Sequence, residues 1–205
     1  MTLKRKAVER DGTRRNRTAE ILPAAIKVFS EKGYAAASLQ DLADEVGLLK
    51  GSLYHYIDSK EAVLFEILQG SHAQAVEIMV QTDALDLEPE QRFASYVRSL
   101  TLWYLSNRER ASLYFTEWRY LTGDYRETVV EQRREFLGYV RQILAEAQRR
   151  DRTRKDIDVQ LAALFVMSAV NSVPIWFRPS GRTTAEQIAD EVAALACATL
   201  FAPDS

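Results

Sequence analysis

Residues 38–57 read SLQDLADEVGLLKGSLYHYI, and this stretch decides the fold. Leu39, Leu42, Ala43 and Val46 recur at helical spacing and form one apolar face. Leu49, Leu53 and Tyr56 form a second such face beyond Gly47. The glycine stands where a tight turn between two short helices needs a residue that accepts positive φ. Two short helices with such faces cannot bury them alone and must pack on a third. The segment upstream supplies it, with Ile21, Ala24, Ala25, Val28 and Phe29 at the required spacing. The expected product is a three-helix helix-turn-helix whose second short helix is free to enter a major groove.

The exposed residues of that helix suit a polyanion. Gly51 and Ser52 lie at its start, where low side-chain bulk, backbone N–H groups and the helix dipole favour a phosphate. Lys50 and Lys60 supply charge on either side. Tyr54 and His55 project away from Leu53 and Tyr56, with Tyr54 expected to meet bases and His55 backbone.

Residues 14–74 closely resemble the DNA-binding domain of the TetR/AcrR family. The resemblance runs from a first helix ending FSEKGY, through SLQDLADEVGLLKGSLYHYI, to SKEAVLFEIL. It implies DNA contacts from Ser38, Lys50, Gly51, Ser52, Tyr54, His55 and Lys60, with Tyr56 in the core. It also implies a homodimer on two half-sites of double-stranded operator DNA and a C-terminal domain that binds an effector.

Charge is divided along the chain. The net charge of −2 hides a basic arm, residues 1–13, at the head of a first segment (1–17) with seven Lys or Arg against two acids. Residues 61–205 hold 16 basic and 21 acidic side chains. A basic end on an acidic body suggests that only the N-terminal end meets nucleic acid. The 47% apolar and 27% charged fractions describe an ordinary soluble chain. No stretch is expected to approach the roughly 18 uninterrupted apolar residues of a membrane span. A single cysteine, Cys197, rules out an internal disulfide, and the expected compartment is the cytoplasm.

The fold class expected from this patterning is all-α, with about nine helices and no alternating strand pattern. The expected spans are 14–32, 38–45, 49–56, 60–82, 89–106, 108–121, 124–150, 156–178 and 183–201. They divide into the arm, a DNA-binding domain at 14–74 and an effector-binding and dimerisation domain at 75–205.

Residues 89–150 are rich in aromatics interleaved with Glu117, Arg119 and Arg133, which suits an apolar cavity with a few polar anchors. The expected walls are Trp103, Tyr104, Phe115, Trp118, Phe136 and Phe165, with Asn171 as a polar member. The segment DVQLAALFVMSAVNSVPIWFRP is apolar nearly all round, and AEQIADEVAALACATLF carries a stripe of Ala189, Ala193 and Ala196. Paired across a two-fold axis, residues 156–201 would build a four-helix dimer seam. The W-F-R-P end of the first segment resembles TetR-family repressors of lipid and sterol-ring degradation, some responsive to acyl-CoA thioesters. Where those place Arg and Trp one turn apart, this chain has Met167, Asn171 and Ile175. An aromatic or other hydrophobic effector therefore fits these residues as well as a CoA thioester.

Two other classes were weighed. An enzyme is disfavoured: His55 and His72 are the only histidines, and there is no nucleophile elbow, phosphate-cradling loop or dinucleotide fingerprint. No catalytic residue, metal site or cofactor is expected. The other is an activator or global regulator of the same build without a small effector.

Overall fold

A computed structural model describes residues 19–201, and the arm at 1–13 lies outside them. Within that span the chain is helical throughout, and its one β feature is an isolated bridge between Thr153 and Phe201. Helix α1 is described over residues 19–32. It is followed by α2 (Leu39–Glu45), α3 (Lys50–Leu53), α4 (Lys60–Asp83), α5 (Pro89–Ser106) and α6 (Arg108–Thr116). A 3₁₀ turn at Trp118–Tyr120 leads to α7 (Gly123–Arg149), α8 (Val159–Trp176) and α9 (Ala185–Leu200).

Local chemistry sets these boundaries. Ser38 caps α2 in a capping box, its hydroxyl accepting from the Asp41 N–H while the Asp41 carboxylate accepts from the Ser38 N–H. Gly47 makes the turn at φ 66°. The Ser59 hydroxyl accepts from the Ala62 N–H at 2.9 Å to start α4. Thr184 and Gln187 make a second capping box at the start of α9. The span expected at 108–121 ends early, at Thr116, and tightens into the 3₁₀ turn. The span expected at 49–56 keeps only one α-helical turn before it loosens.

One buried apolar cluster runs from Ile21 in α1 to Phe201 after α9. Leu42, Ala43 and Leu53 are fully buried against α1, as the sequence pattern requires. Leu49 is a correction: it caps α3 and is 80% exposed, while its neighbour Leu48 packs on the core. Helix α4 crosses residue 74 without a break, so it belongs both to the helix-turn-helix and to the body.

One expectation about the C-terminal helices changes. Ala189, Ala193 and Ala196 are buried within the chain, with α9 lying chiefly along α5, so the alanine stripe is not a seam. Its small side chains let α9 approach α5 closely. Helix α8, at 18 residues, is long and apolar enough to cross a membrane by length and composition, although Gln160, Ser168, Asn171 and Ser172 interrupt its apolar run as the sequence indicated. It is two-sided: Ala163, Val166, Val170 and Val173 are buried, whereas Leu161, Leu164, Phe165, Ile175 and Trp176 are exposed.

Candidate nucleic-acid interface and buried cavity

The first candidate site is the outer surface of α2 and α3. Lys50, Gly51, Tyr54 and His55 are exposed there and Ser52 is half-buried, while Leu53 and Ile57 anchor the segment from beneath. A Cβ on Gly51 would meet no atom within 4 Å, and its φ is not positive. Nothing inside the chain therefore requires a glycine at that position. Its bare backbone suits the close approach of an outside partner. Leu49, which sequence reasoning assigned to the core, joins this surface as its one large exposed aliphatic group.

Two residues expected on this surface are held by the chain itself. The Ser38 hydroxyl donates to the Asp41 carboxylate at 2.6 Å, and the Lys32 ammonium meets the other oxygen of that carboxylate at 2.5 Å. This ion pair, followed by the Ser38 hydrogen bonds, holds the Asp41 carboxyl well below the usual carboxylate range. Lys60 is likewise engaged within the chain. Its ammonium turns inward and donates to the carbonyl oxygens of Tyr34 and Ala37 at 2.5 and 2.6 Å. It closes the turn between α1 and α2 instead of reaching outward.

The second site is a cavity of about 340 Å³ among α5, α6, α7 and α8. Tyr104, Phe115, Trp118, Phe136 and Asn171, all expected there, line it. Two expected residues do not. Trp103 stands behind Tyr104, ring centres 5.7 Å apart, and Phe165 points outward at 64% exposure. An apolar pattern that runs all round α8 has no phase, so it cannot say which side faces the cavity. Leu164, Met167 and Ser168 take the place that Phe165 was given, and Tyr114, Arg133 and Arg134 also line it, with Val130 and Leu137.

The walls are ordered by ring packing. Tyr104 and Phe115 meet edge-to-face at 5.1 Å, as do Tyr114 and Phe115 at 5.5 Å. The Tyr104 hydroxyl donates to Asn171 Oδ1 at 3.4 Å. Burial pushes the Tyr114 phenol up to about 12 and that of Tyr104 well above its ordinary value, so both stay neutral donors at physiological pH. The polar end is cationic. The Arg133 guanidinium lies 5.0 Å from the Trp118 ring centre and 5.7 Å from that of Tyr114. The Trp118 indole N–H and the Tyr114 hydroxyl are buried without a hydrogen-bond partner. Hydrophobic walls beside a guanidinium suit a hydrophobic molecule that carries acceptor oxygens.

Comparison with known proteins covers both sites. Residues 21–67 match the model of the tetR family of bacterial regulatory proteins, and residues 86–200 match that of the tetracyclin repressor-like C-terminal domain. The chain is 29% identical over 188 residues to the HTH-type transcriptional repressor KstR2 of Rhodococcus jostii, covering 91% of this chain and 92% of that one. The ketosteroid transcriptional regulator KstR2 of Mycobacterium tuberculosis shares the fold, with TM-score 0.85 at 23% identity over 91% of this chain and 96% of that one. AibR, solved in complex with isovaleryl coenzyme A and operator DNA, superposes with TM-score 0.81 at 25% identity, covering 92% of this chain and all of that one, 100%.

Proposed function

The chain belongs to the TetR family of bacterial regulatory proteins, and from that premise we propose that it is a transcriptional repressor released from its operator by a small hydrophobic effector. It is a DNA-binding regulator that works as a homodimer on double-stranded operator DNA. The exposed surface of Lys50, Gly51, Ser52, Tyr54 and His55 enters the major groove, and Leu49 lies beside it. Ser38 and Lys60 contribute by fixing the frame of the module. The compartment is the cytoplasm, where the operator lies.

The observation that carries the effector reading is the cavity, with its aromatic walls beside Arg133 and Arg134. Its volume accommodates an acyl chain or a small ring system and is too small for a whole coenzyme A ester. In such a ester the acyl part would enter, and the nucleotide would remain outside, near Arg133 and Arg134 on the lining. The solved complex of AibR with isovaleryl coenzyme A and operator DNA supports this class of effector. The seam between protomers is the exposed apolar side of α8, with Leu161, Leu164, Phe165, Ile175 and Trp176, joined by Leu195 of α9.

The direct test is an electrophoretic shift with the DNA upstream of the chain's own gene, titrated with acyl-CoA esters, fatty acids and aromatic acids. The expected result is a saturable shift that one of these classes reverses. Absence of any shift on that duplex and on duplexes selected from a random library would refute the reading.

A further inference from the structure

Between the cavity and the DNA-reading module the chain makes one short crossing, at residues 118–122. Its first residue, Trp118, lines the cavity. Two residues on, the Tyr120 ring packs against the Tyr34 ring, centres 5.3 Å apart. Leu121 is fully buried, and Thr122 is then fixed to α4: its backbone N–H and its hydroxyl both donate to the Glu61 carboxylate, at 2.6 and 2.9 Å. Gly123 turns the chain into α7 at φ 49°, a conformation that a side chain would strain.

The far ends of these contacts converge on one place. Tyr34 lies in the turn between α1 and α2, and Lys60 and Glu61 open α4 directly after the DNA-reading segment. Lys60 holds the Tyr34 carbonyl, and its ammonium lies 4.2 Å from the centre of the Tyr34 ring. Movement of residues 118–122 therefore bears on both flanks of the helix-turn-helix at once. Trp118 is well placed to start such movement. Its ring is surrounded by the guanidinium groups of Arg119, Arg126 and Arg133 at 5.0 to 5.8 Å, and its N–H has no partner. A molecule entering the cavity would press on the Trp118 ring and disturb those contacts.

We propose that residues 118–122 are a strap that transmits the state of the cavity to the DNA-reading module, with Tyr120 and Thr122 as its positioning residues on Tyr34 and Glu61. The proposal rests on the cavity being the effector site. The alternative route runs through α4 alone, by way of the His72–Phe136 ring contact at 5.0 Å and the Arg110 bond to the Ile67 carbonyl at 3.4 Å. The strap differs from it in reaching the α1–α2 turn without passing along α4.

The test needs neither effector nor operator, so it stands apart from the reading of the function. Amide hydrogen exchange is measured on the full-length chain as wild type, Trp118→Phe, Trp118→Ala and Leu85→Ala, the last an exposed position away from the cavity lining. Each Trp118 variant is repeated in a background of Tyr120→Ala and Glu61→Ala. The expected result is a threefold or greater change in exchange at residues 34–37 and 60–64 for the Trp118 variants. Leu85→Ala leaves those segments unchanged, and the background removes the response to Trp118. The Phe variant keeps a ring in place, so the result does not depend on tolerance of the alanine. An unchanged rate at 34–37 in both Trp118 variants, or a response that survives in the background, would overturn the strap. Should wild type fail to respond to any effector in the shift assay, the functional reading falls, while the exchange result still decides the strap.

Discussion

Lys60 holds Tyr34 twice: its ammonium donates to the Tyr34 carbonyl oxygen at 2.5 Å and lies 4.2 Å from the centre of the same residue's ring. A residue with the charge and position to meet DNA phosphate is thus committed to the frame that presents the reading helix. Lys60→Ala removes charge-assisted hydrogen bonds to two carbonyls, each worth roughly 1.5–3 kcal/mol. The variant should lower the midpoint of urea unfolding and weaken binding to all DNA sequences alike. A variant with full stability and weakened DNA binding would show instead that the lysine reaches phosphate.

The Ser38–Asp41 capping box makes a second prediction. Ser38→Ala should cost about 0.5–2 kcal/mol of stability, the usual range for losing an N-cap. The Asp41 carboxyl is held down chiefly by Lys32 and then by Ser38, so its contribution is present above the ordinary carboxylate range and is lost only as pH falls through its own depressed value. A titration followed by NMR should find Asp41 ionised below the ordinary value of about 3.9, and Lys32→Ala should move it back towards that value. An Asp41 that titrates normally in the wild type would remove the ion pair from the account.

On the DNA surface, Tyr54 and Leu49 should carry sequence preference. Tyr54→Ala should relax discrimination at particular operator positions by about 1–3 kcal/mol. Leu49→Ala should do so at a thymine, through loss of contact with its methyl group. His55→Ala should weaken every sequence equally. Selection from random duplexes by each variant checks all of these, and an unchanged base preference in Tyr54→Ala contradicts the assignment.

The dimer seam separates two alanine-versus-aromatic readings. Phe165 is 64% exposed on α8, and Asp at that position would have to be desolvated between protomers. Phe165→Asp should give a folded monomer in sedimentation and lose operator binding. Ala193 is 6% exposed and faces α5, so Ala193→Asp should unfold the chain rather than separate the protomers. A folded, dimeric Phe165→Asp variant places the seam elsewhere.

The sequence showed most where its pattern has a phase. The faces of Leu42, Ala43 and Leu53 and the turn at Gly47 are each specified by spacing or by one residue's chemistry, and each stands in the structure as expected. Where the pattern has no phase it could not choose. Leu48 and Leu49 are identical side chains in sequence, and only the cap geometry of α3 decides which is buried. On α8, likewise, the pattern could not say that Leu164 lines the cavity and Phe165 does not. Lys60 was missed for another reason: an inward-facing lysine needs two carbonyls from a turn 23 and 26 residues away, and no local signal marks them. The cavity's aromatic walls and Arg133 as a polar anchor were legible, but the placement of Arg133 against Tyr114 and Trp118 emerges only once α6 and α7 are packed.

The central claim is that occupation of the cavity and binding of the operator oppose each other. The most direct measurement is a tryptophan fluorescence titration of the dimer with isovaleryl coenzyme A, longer acyl-CoA esters, fatty acids and aromatic acids, each with and without operator duplex. Trp118 in the cavity wall and Trp103 behind Tyr104 supply the signal. One of these classes should quench it saturably, and operator should weaken that binding by about 5–150-fold, the range expected of a coupling of roughly 1–3 kcal/mol. By linkage the same compound must lower operator affinity by the same factor. Equal effector affinity in the presence and absence of operator would contradict the account, even with the compound bound in the cavity.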